Sequence, residues 1–271
     1  MNAKLAPSDA LAIGVEAARA AGAILAERFG APAAGVRSKT SATDLVSEAD
    51  ERAEHAIVGF LRARRPDDAI VAEEGSAVAG RTGVRWYVDP LDGTINFLYG
   101  IPHWCVAICC ADARGAVAAI VYDPLRDELF TAMRRAGAWL NDAPVATTGK
   151  RKLAEALVAT GFAYVADARR RQGRILAGVV AEVRDVRRNG SASLDLAWVA
   201  ASRLDAYFES VDKPWDWMPG ALLVREAGGR VTELTPADPA LPRIVASGPG
   251  IHDALTRLLA RAVQKSEKPI D

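Results

Sequence analysis

The sequence predicts a mixed α/β fold built in layers, α/β or α+β in class. Three observations point there. A long helical period opens the chain, consecutive short strands fill residues 104–140, and helix alternates with strand after residue 150. In the first helix, Ser8 is the expected N-cap. Leu11, Val15, Ala18, Leu25 and Phe29 recur at helical spacing, and Gly30 stops it. A second helix is expected to start between Ser47 and Asp50. It turns Ala53, Ile57 and Phe60 inward and ends before Pro66. Ala69 to Ala72 is a short apolar run ending in Glu73-Glu74-Gly75, and Arg85 to Val88 is another ending in Asp89. Strands are predicted over 104–111, 116–122, 128–133 and 137–140. Arg114-Gly115 and Asp123-Pro124 separate them and Asn141-Asp142 closes the set, the pattern of an antiparallel meander. Beyond Lys150, helices are predicted over 168–184, 193–202, 216–227 and 251–263, and strands over 156–159, 205–209, 230–234 and 244–246. The seam near Lys150 carries no linker. Residues 1–150 and 151–271 are therefore expected to be two halves packed as one unit.

Composition narrows the function. The 271 residues are 50% hydrophobic and 25% charged, as in globular proteins. Lys plus Arg is 34 and Asp plus Glu is 34, a balance that argues against a strongly basic nucleic-acid binder, so no direct nucleic-acid contact is expected. Cys105, Cys109 and Cys110 share one apolar stretch. Their spacing suits neither a disulfide framework nor zinc, and they read as small buried residues in a reducing, cytoplasmic setting. No basic segment followed by an apolar core opens the chain, and no apolar run approaches roughly 18 residues, so neither a signal peptide nor a membrane span is expected.

The chemistry concentrates in Asp89-Pro90-Leu91-Asp92-Gly93-Thr94. Asp89 follows a strand, Pro90 forbids continued pairing and Gly93 frees the backbone, so a turn is expected there. Two carboxylates three residues apart on such a turn can converge on one point, together with a carbonyl between them. Hard divalent cations take such ligands. The same spacing also suits an Asx-turn with two capping aspartates. Glu73 and Glu74 end a predicted strand, Asp44 and Asp50 flank the start of the second helix, and Asp216 precedes a helix ending in Glu226-Ala227-Gly228-Gly229. Singly these are a surface charge, a first-turn charge and an N-cap. Together they are what a carboxylate-lined metal cleft requires.

These runs resemble the inositol monophosphatase family: Glu73-Glu74, Asp89-Pro90-Leu91-Asp92-Gly93-Thr94 with Asn96-Phe97, and Trp215-Asp216 leading to Glu226-Ala227-Gly228-Gly229. Lys39 and Asp44-Leu45-Val46-Ser47-Glu48-Ala49-Asp50 match its upstream signature, with Ser47 where threonine is usual. The resemblance spans about residue 39 to about residue 234. It implies a layered αβαβα sandwich of the inositol monophosphatase and fructose 1,6-bisphosphatase type. The N-terminal half would carry most metal ligands, and the C-terminal half Asp216 and the substrate contacts.

The same resemblance implies two to three Mg²⁺ per site, with Mn²⁺ as a substitute. Glu73, Asp89 and the Leu91 carbonyl would hold one ion, and Asp89, Asp92 and Asp216 a second. Glu73 would help with a weaker third. Thr94 would hydrogen-bond Asp50 and a nucleophilic water whose proton goes to the Asp50–Thr94 pair or to Glu73. Gly93 and Thr94 would face the phosphate through their N–H groups. Gly190, Ser191, Ala192 and Glu209, with Asp92 and Asp216, would contact the substrate.

The activity implied is hydrolysis of myo-inositol monophosphate, or a similar small polyol phosphate, by metal-assisted water attack in a homodimer. Relatives act on fructose 1,6-bisphosphate, histidinol phosphate or adenosine 3′,5′-bisphosphate, and some bacterial relatives serve as partners of the transcription machinery. Trp217-Met218-Pro219 departs from the small or aliphatic residues usual after the aspartate. Lys213 adds a positive charge near the substrate side, and Arg187-Arg188 lies close enough to Gly190 to touch an anionic substrate or a partner subunit.

Overall fold

In the computed structural model, which describes residues 5–31, 35–38, 45–236 and 238–266, the chain begins with α1 (Pro7–Arg28), the short strands β1 (Arg37–Ser38) and β2 (Leu45–Val46), and α2 (Glu48–Arg64). Next come β3 (Ala69–Ala72), β4 (Ala77–Val78), β5 (Arg85–Asp92) and α3 (Thr94–Leu98). A meander follows: β6 (Cys105–Asp112), β7 (Gly115–Asp123), β8 (Glu128–Met133), β9 (Gly137–Leu140) and β10 (Ala143–Pro144). The remainder is β11 (Leu157–Thr160), α4 (Ala166–Ala177), β12 (Asp185–Arg187), α5 (Ala192–Ala200), β13 (Ala206–Glu209), α6 (Pro214–Glu226), β14 (Arg230–Glu233), β15 (Ile244–Ser247) and α7 (His252–Ser266).

Two sheets organise these elements. The larger has strand order β10-β9-β8-β7-β6-β5-β3-β4, and the smaller β12-β11-β13-β15-β14. Strand periodicity divides the core into three. On β6 and β7, Val106, Ile108, Cys110, Ala118, Ile120 and Tyr122 face α1 and α2, whereas Cys105, Ala107, Ala119 and Val121 face α5 and α6. On β13, Tyr207 joins that second core, while Ala206 and Phe208 turn to a third beneath α4 and α7. The layers are therefore α1/α2, large sheet, α5/α6, small sheet and α4/α7, the αβαβα sandwich.

Helix α1 meets the sheet through small residues rather than large ones. Ala10, Gly14, Ala17, Ala18, Ala21, Gly22 and Leu25 are its buried positions, and Leu11 and Val15 are only partly covered. A Cβ at Gly14 would lie 2.4 Å from Ile120 Cδ1. We expect Gly14→Leu to cost about 1–3 kcal/mol of stability in urea titration, because the added side chain must displace a packed strand.

Several expectations change in the structure. Ser8 lies inside α1, whose N-cap is Ala6 with Pro7 in the first turn, where proline's missing N–H costs nothing. The helix expected over 168–184 ends at Ala177, and Asp185–Arg187 becomes the edge strand β12 beside β11. Asp216 is not an N-cap: α6 begins at Pro214, and Lys213 occupies the N-cap position without a side-chain capping bond. Pro90 does not stop pairing, since β5 continues to Asp92. Cys105, Cys109 and Cys110 are free and buried, as their apolar setting implied. Among the described residues, no helix is long and apolar enough to cross a membrane.

Candidate active site

The continuation of β5 through Pro90 positions the central carboxylates. Asp89 pairs with Ala107 of β6, and Asp92 pairs with Cys105. Three steps along β5 thus match two along β6, so the strand contains a bulge. On a regular strand, residues three apart point to opposite faces. The extra residue restores parity and brings Asp89 and Asp92 to one face. Proline suits that spot because a bulge frees the residue from the ladder.

Glu73 arrives from the neighbouring strand. Strand β3 runs parallel to β5 with Ala72 opposite Val88, so Glu73 falls beside Asp89, and its N–H donates to the Val88 carbonyl at 3.1 Å. Its loop is fixed from beneath. The buried Glu54 of α2 accepts the N–H of Glu74 at 2.6 Å and of Ser76 at 2.9 Å. Sequence reasoning passed over Glu54. The signal was an acidic residue beside Ala53 and three before Ile57, on the face that packs inward.

Asp216, in the first turn of α6, completes the set. Its backbone carbonyl accepts the Ser193 hydroxyl at 2.9 Å, which ties α6 to the start of α5. Asp92 bridges to the same helix start: it accepts from the Ser191 hydroxyl at 2.8 Å, Ser193 N–H at 2.6 Å and Ala192 N–H at 3.2 Å. Ser191 is buried and spends its hydroxyl on Asp92, so it supports the cleft without lining it.

Gly93 takes φ 104°, a left-handed conformation suited to glycine, and a Cβ there would lie 3.0 Å from the His103 carbonyl and from Trp104 Cβ. The tight turn lets Thr94 start α3. Its hydroxyl is 3.0 Å from Asp50 Oδ1 and 3.1 Å from the Leu91 carbonyl, and its one proton serves a single acceptor at a time. Asp50 is fully buried, and its other oxygen accepts the Ser47 N–H at 2.9 Å and the Ser47 hydroxyl. Lys39 and Asp44 lie outside the described residues.

The cleft encloses about 450 Å³. Glu73, Asp89, Leu91, Asp92, Gly93 and Thr94 of the N-terminal half line it together with Gly190, Ala192, Glu209, Lys213 and Asp216 of the C-terminal half. Arg188, Phe162 and Tyr164 also border it. Arg187 is bound to Asp185 at 2.5 Å and stands away from the cleft. Trp217 packs into the central core and Pro219 is buried within α6, so neither enters the cleft.

Charge crowding dominates the electrostatics. Burial raises the Asp89 carboxyl far above its usual range, and Glu73, Asp92 and Asp216 push the same way. Burial also lifts Asp92 to about 7 against its hydrogen bonds from Ser191 and Ser193. Asp216 is raised by burial, then by Glu73, Asp92 and Glu209. Such a cluster favours a counter-cation. Among the described residues, no group of three or more His, Cys, Asp or Glu side chains is disposed to hold a metal ion as it stands. The donor set nevertheless fits a hard divalent ion: four carboxylates and a carbonyl, all oxygen, with lone pairs left over on Asp89 and Asp92 after their hydrogen bonds are counted.

These layers and this oxygen-donor cleft define an αβαβα protein with a carboxylate-rich centre at a strand bulge. The chain belongs to the inositol monophosphatase family, whose model matches residues 6–268. It is 42% identical to the Nus factor SuhB of Xylella fastidiosa over 241 residues, 89% of this chain and 86% of the relative. Among solved structures, the suhB protein of Bartonella henselae superposes with a TM-score of 0.84 at 37% identity, covering 96% of this chain and 99% of that one. The inositol monophosphatase of Anabaena sp. PCC 7120 gives 0.81 at 35% identity, covering 94% and 96%.

Proposed function

We propose that the protein is a Mg²⁺-dependent phosphomonoesterase that hydrolyses a myo-inositol monophosphate, or a similar small polyol phosphate, by direct attack of water. The observation that carries this reading is the β5 bulge, which sets Asp89 and Asp92 on one face in a cleft that Glu73 and Asp216 also line. Glu73, Asp89 and the Leu91 carbonyl would hold one ion, Asp89, Asp92 and Asp216 a second, and Glu73 would share in a weaker third. When bound, these ions neutralise the phosphate and lower the pKa of an attacking water.

The chain's own groups then have defined work. Asp50, anchored by Ser47, takes the Thr94 hydroxyl proton in a hydrogen bond and leaves Thr94 lone pairs to accept one from water. Glu73 is the other candidate base. The N–H groups of Gly93 and Thr94 would face the phosphate. Gly190 and Ala192 shape the wall for the alcohol, Ser191 holds Asp92, and Glu209 accepts hydrogen bonds from ring hydroxyls. The halves 1–150 and 151–271 act as one unit in this reading, since the central core draws on both. A cytoplasmic homodimer is its assembly, which sedimentation checks.

A phosphate-release panel tests the substrate. We expect the highest kcat/KM on inositol monophosphate, above fructose 1,6-bisphosphate and histidinol phosphate. A higher value on adenosine 3′,5′-bisphosphate would reject that assignment. The relatives named Nus factor SuhB support a second reading, a partner of the transcription machinery. The complete acidic set favours retained phosphatase activity alongside it. Recovery of RNA polymerase subunits on a catalytically dead variant would support that second role.

A further inference from the structure

Glu209 closes the substrate side of the cleft, and the way it is held is specific to a few neighbours. It ends β13, two residues after Tyr207, so both side chains point to the same face of the small sheet. Tyr207 is fully buried in the central core, and its hydroxyl donates to Glu209 Oε2 at 2.8 Å. The parallel neighbour β11 places Thr160 opposite Phe208, which brings Gly161 beside Glu209. A Cβ on Gly161 would lie 1.9 Å from Glu209 Oε1. The carboxylate therefore lies across the end of β11 only because position 161 carries no side chain. Glu209 also borders, with Gln172, Phe208 and Ser210, a small neighbouring cavity of about 10 Å³, about one water's volume.

We propose that Tyr207 and Gly161 are positioning residues that fix the Glu209 carboxylate toward the cleft and so set the preference for esters of polyhydroxylated alcohols. The proposal rests on the phosphatase reading above and deepens it. The Tyr207 proton occupies Oε2, which leaves Oε1 and the remaining lone pairs directed at the substrate's hydroxyls. A carboxylate free to swing would give up that registry, and binding of the polyol portion would weaken more than turnover at the carboxylate centre, which both esters share. The Tyr207 hydroxyl makes its hydrogen bond to Glu209, not to the four cleft carboxylates proposed as metal ligands.

The test compares myo-inositol 1-phosphate with phenyl phosphate, whose alcohol offers no further hydroxyls. Wild type, Tyr207→Phe, Gly161→Ala, Glu209→Gln and the Tyr207→Phe/Glu209→Gln double variant are assayed in Mg²⁺. We expect Tyr207→Phe to lower the inositol-to-phenyl ratio of kcat/KM about tenfold, chiefly through KM, the scale of one hydrogen bond to a charged group. Gly161→Ala lowers the same ratio independently, which covers the case of a poorly folding Tyr207 variant. The double variant matches Glu209→Gln alone. An unchanged ratio in both Tyr207→Phe and Gly161→Ala, equal losses on both esters, or additive losses in the double variant would overturn the proposal. Failure of the wild type on both esters would instead strike the phosphatase reading, so the two failures are distinguishable.

Discussion

If the proposed phosphatase reading holds, Asp89→Asn is expected to lower kcat for phosphate release by about 10²–10³-fold or more, the scale of removing a group that stabilises transition-state charge. Asp89 is the carboxylate that both proposed ions would share, and it interacts with Glu73, Asp92 and Asp216 together. Asparagine keeps the side-chain shape and the Oδ1 that accepts the Leu91 N–H at 3.0 Å, so the bulge persists. The loss is therefore electrostatic rather than structural. A melting curve beside the assay separates the two: the variant should melt no lower than wild type without Mg²⁺. Any binding to a transcription partner should survive the substitution.

The second large effect is thermal. Mg²⁺ at about a hundredfold its Kd should raise Tm by about 5–10 °C, since ligand linkage at one site is worth about 2.7 kcal/mol and a protein of this size gains roughly 2–4 °C per kcal/mol. The pH dependence has a definite sign. Asp92 and Glu209 are each raised to about 7 by burial, from ordinary values of 3.8 and 4.5, and Asp89 and Asp216 are raised well above theirs, by burial first. A carboxyl raised in the folded state contributes stability below its unfolded pKa and loses it as pH rises through the folded value. In chelator, the contribution of Asp92 and Glu209 falls between about pH 4 and pH 7, and Asp89 and Asp216 act in the same direction. The Mg²⁺ shift should accordingly be larger at pH 8 than at pH 6, and Asp89→Asn should shrink it. Differential scanning calorimetry at both pH values checks this, and a shift independent of pH would contradict it.

Much of this site was legible in the sequence because its chemistry is written in short runs. Asp89 to Thr94, Glu73 and Asp216 are brought to one cleft, and the meander from Cys105 to Leu140 follows its turn residues closely. What local pattern could not supply was parity. Proline 90 reads as the end of a strand, and only the register against Ala107 and Cys105 reveals a bulge that keeps the strand and turns two aspartates the same way. Helix α1 packs the expected Ala18 and Leu25 into the core with Leu11, Val15 and Phe29 against it, but the sequence did not show that its closest approach, to Ile120 and Tyr122, is made at Gly14 and Gly22. Supporting residues were the least visible. Glu54 acts through a partner 20 residues away and the Ser191 hydroxyl through one 99 residues away, separations that no local spacing rule ties together.

The most direct measurement is a crystal structure of the protein soaked with Mn²⁺ and phosphate, with data collected at the manganese absorption edge. The account predicts anomalous peaks among Glu73, Asp89, Asp92 and Asp216, and a phosphate touching the N–H groups of Gly93 and Thr94. A clean cleft with those four carboxylates directed apart, at saturating Mn²⁺, would contradict it.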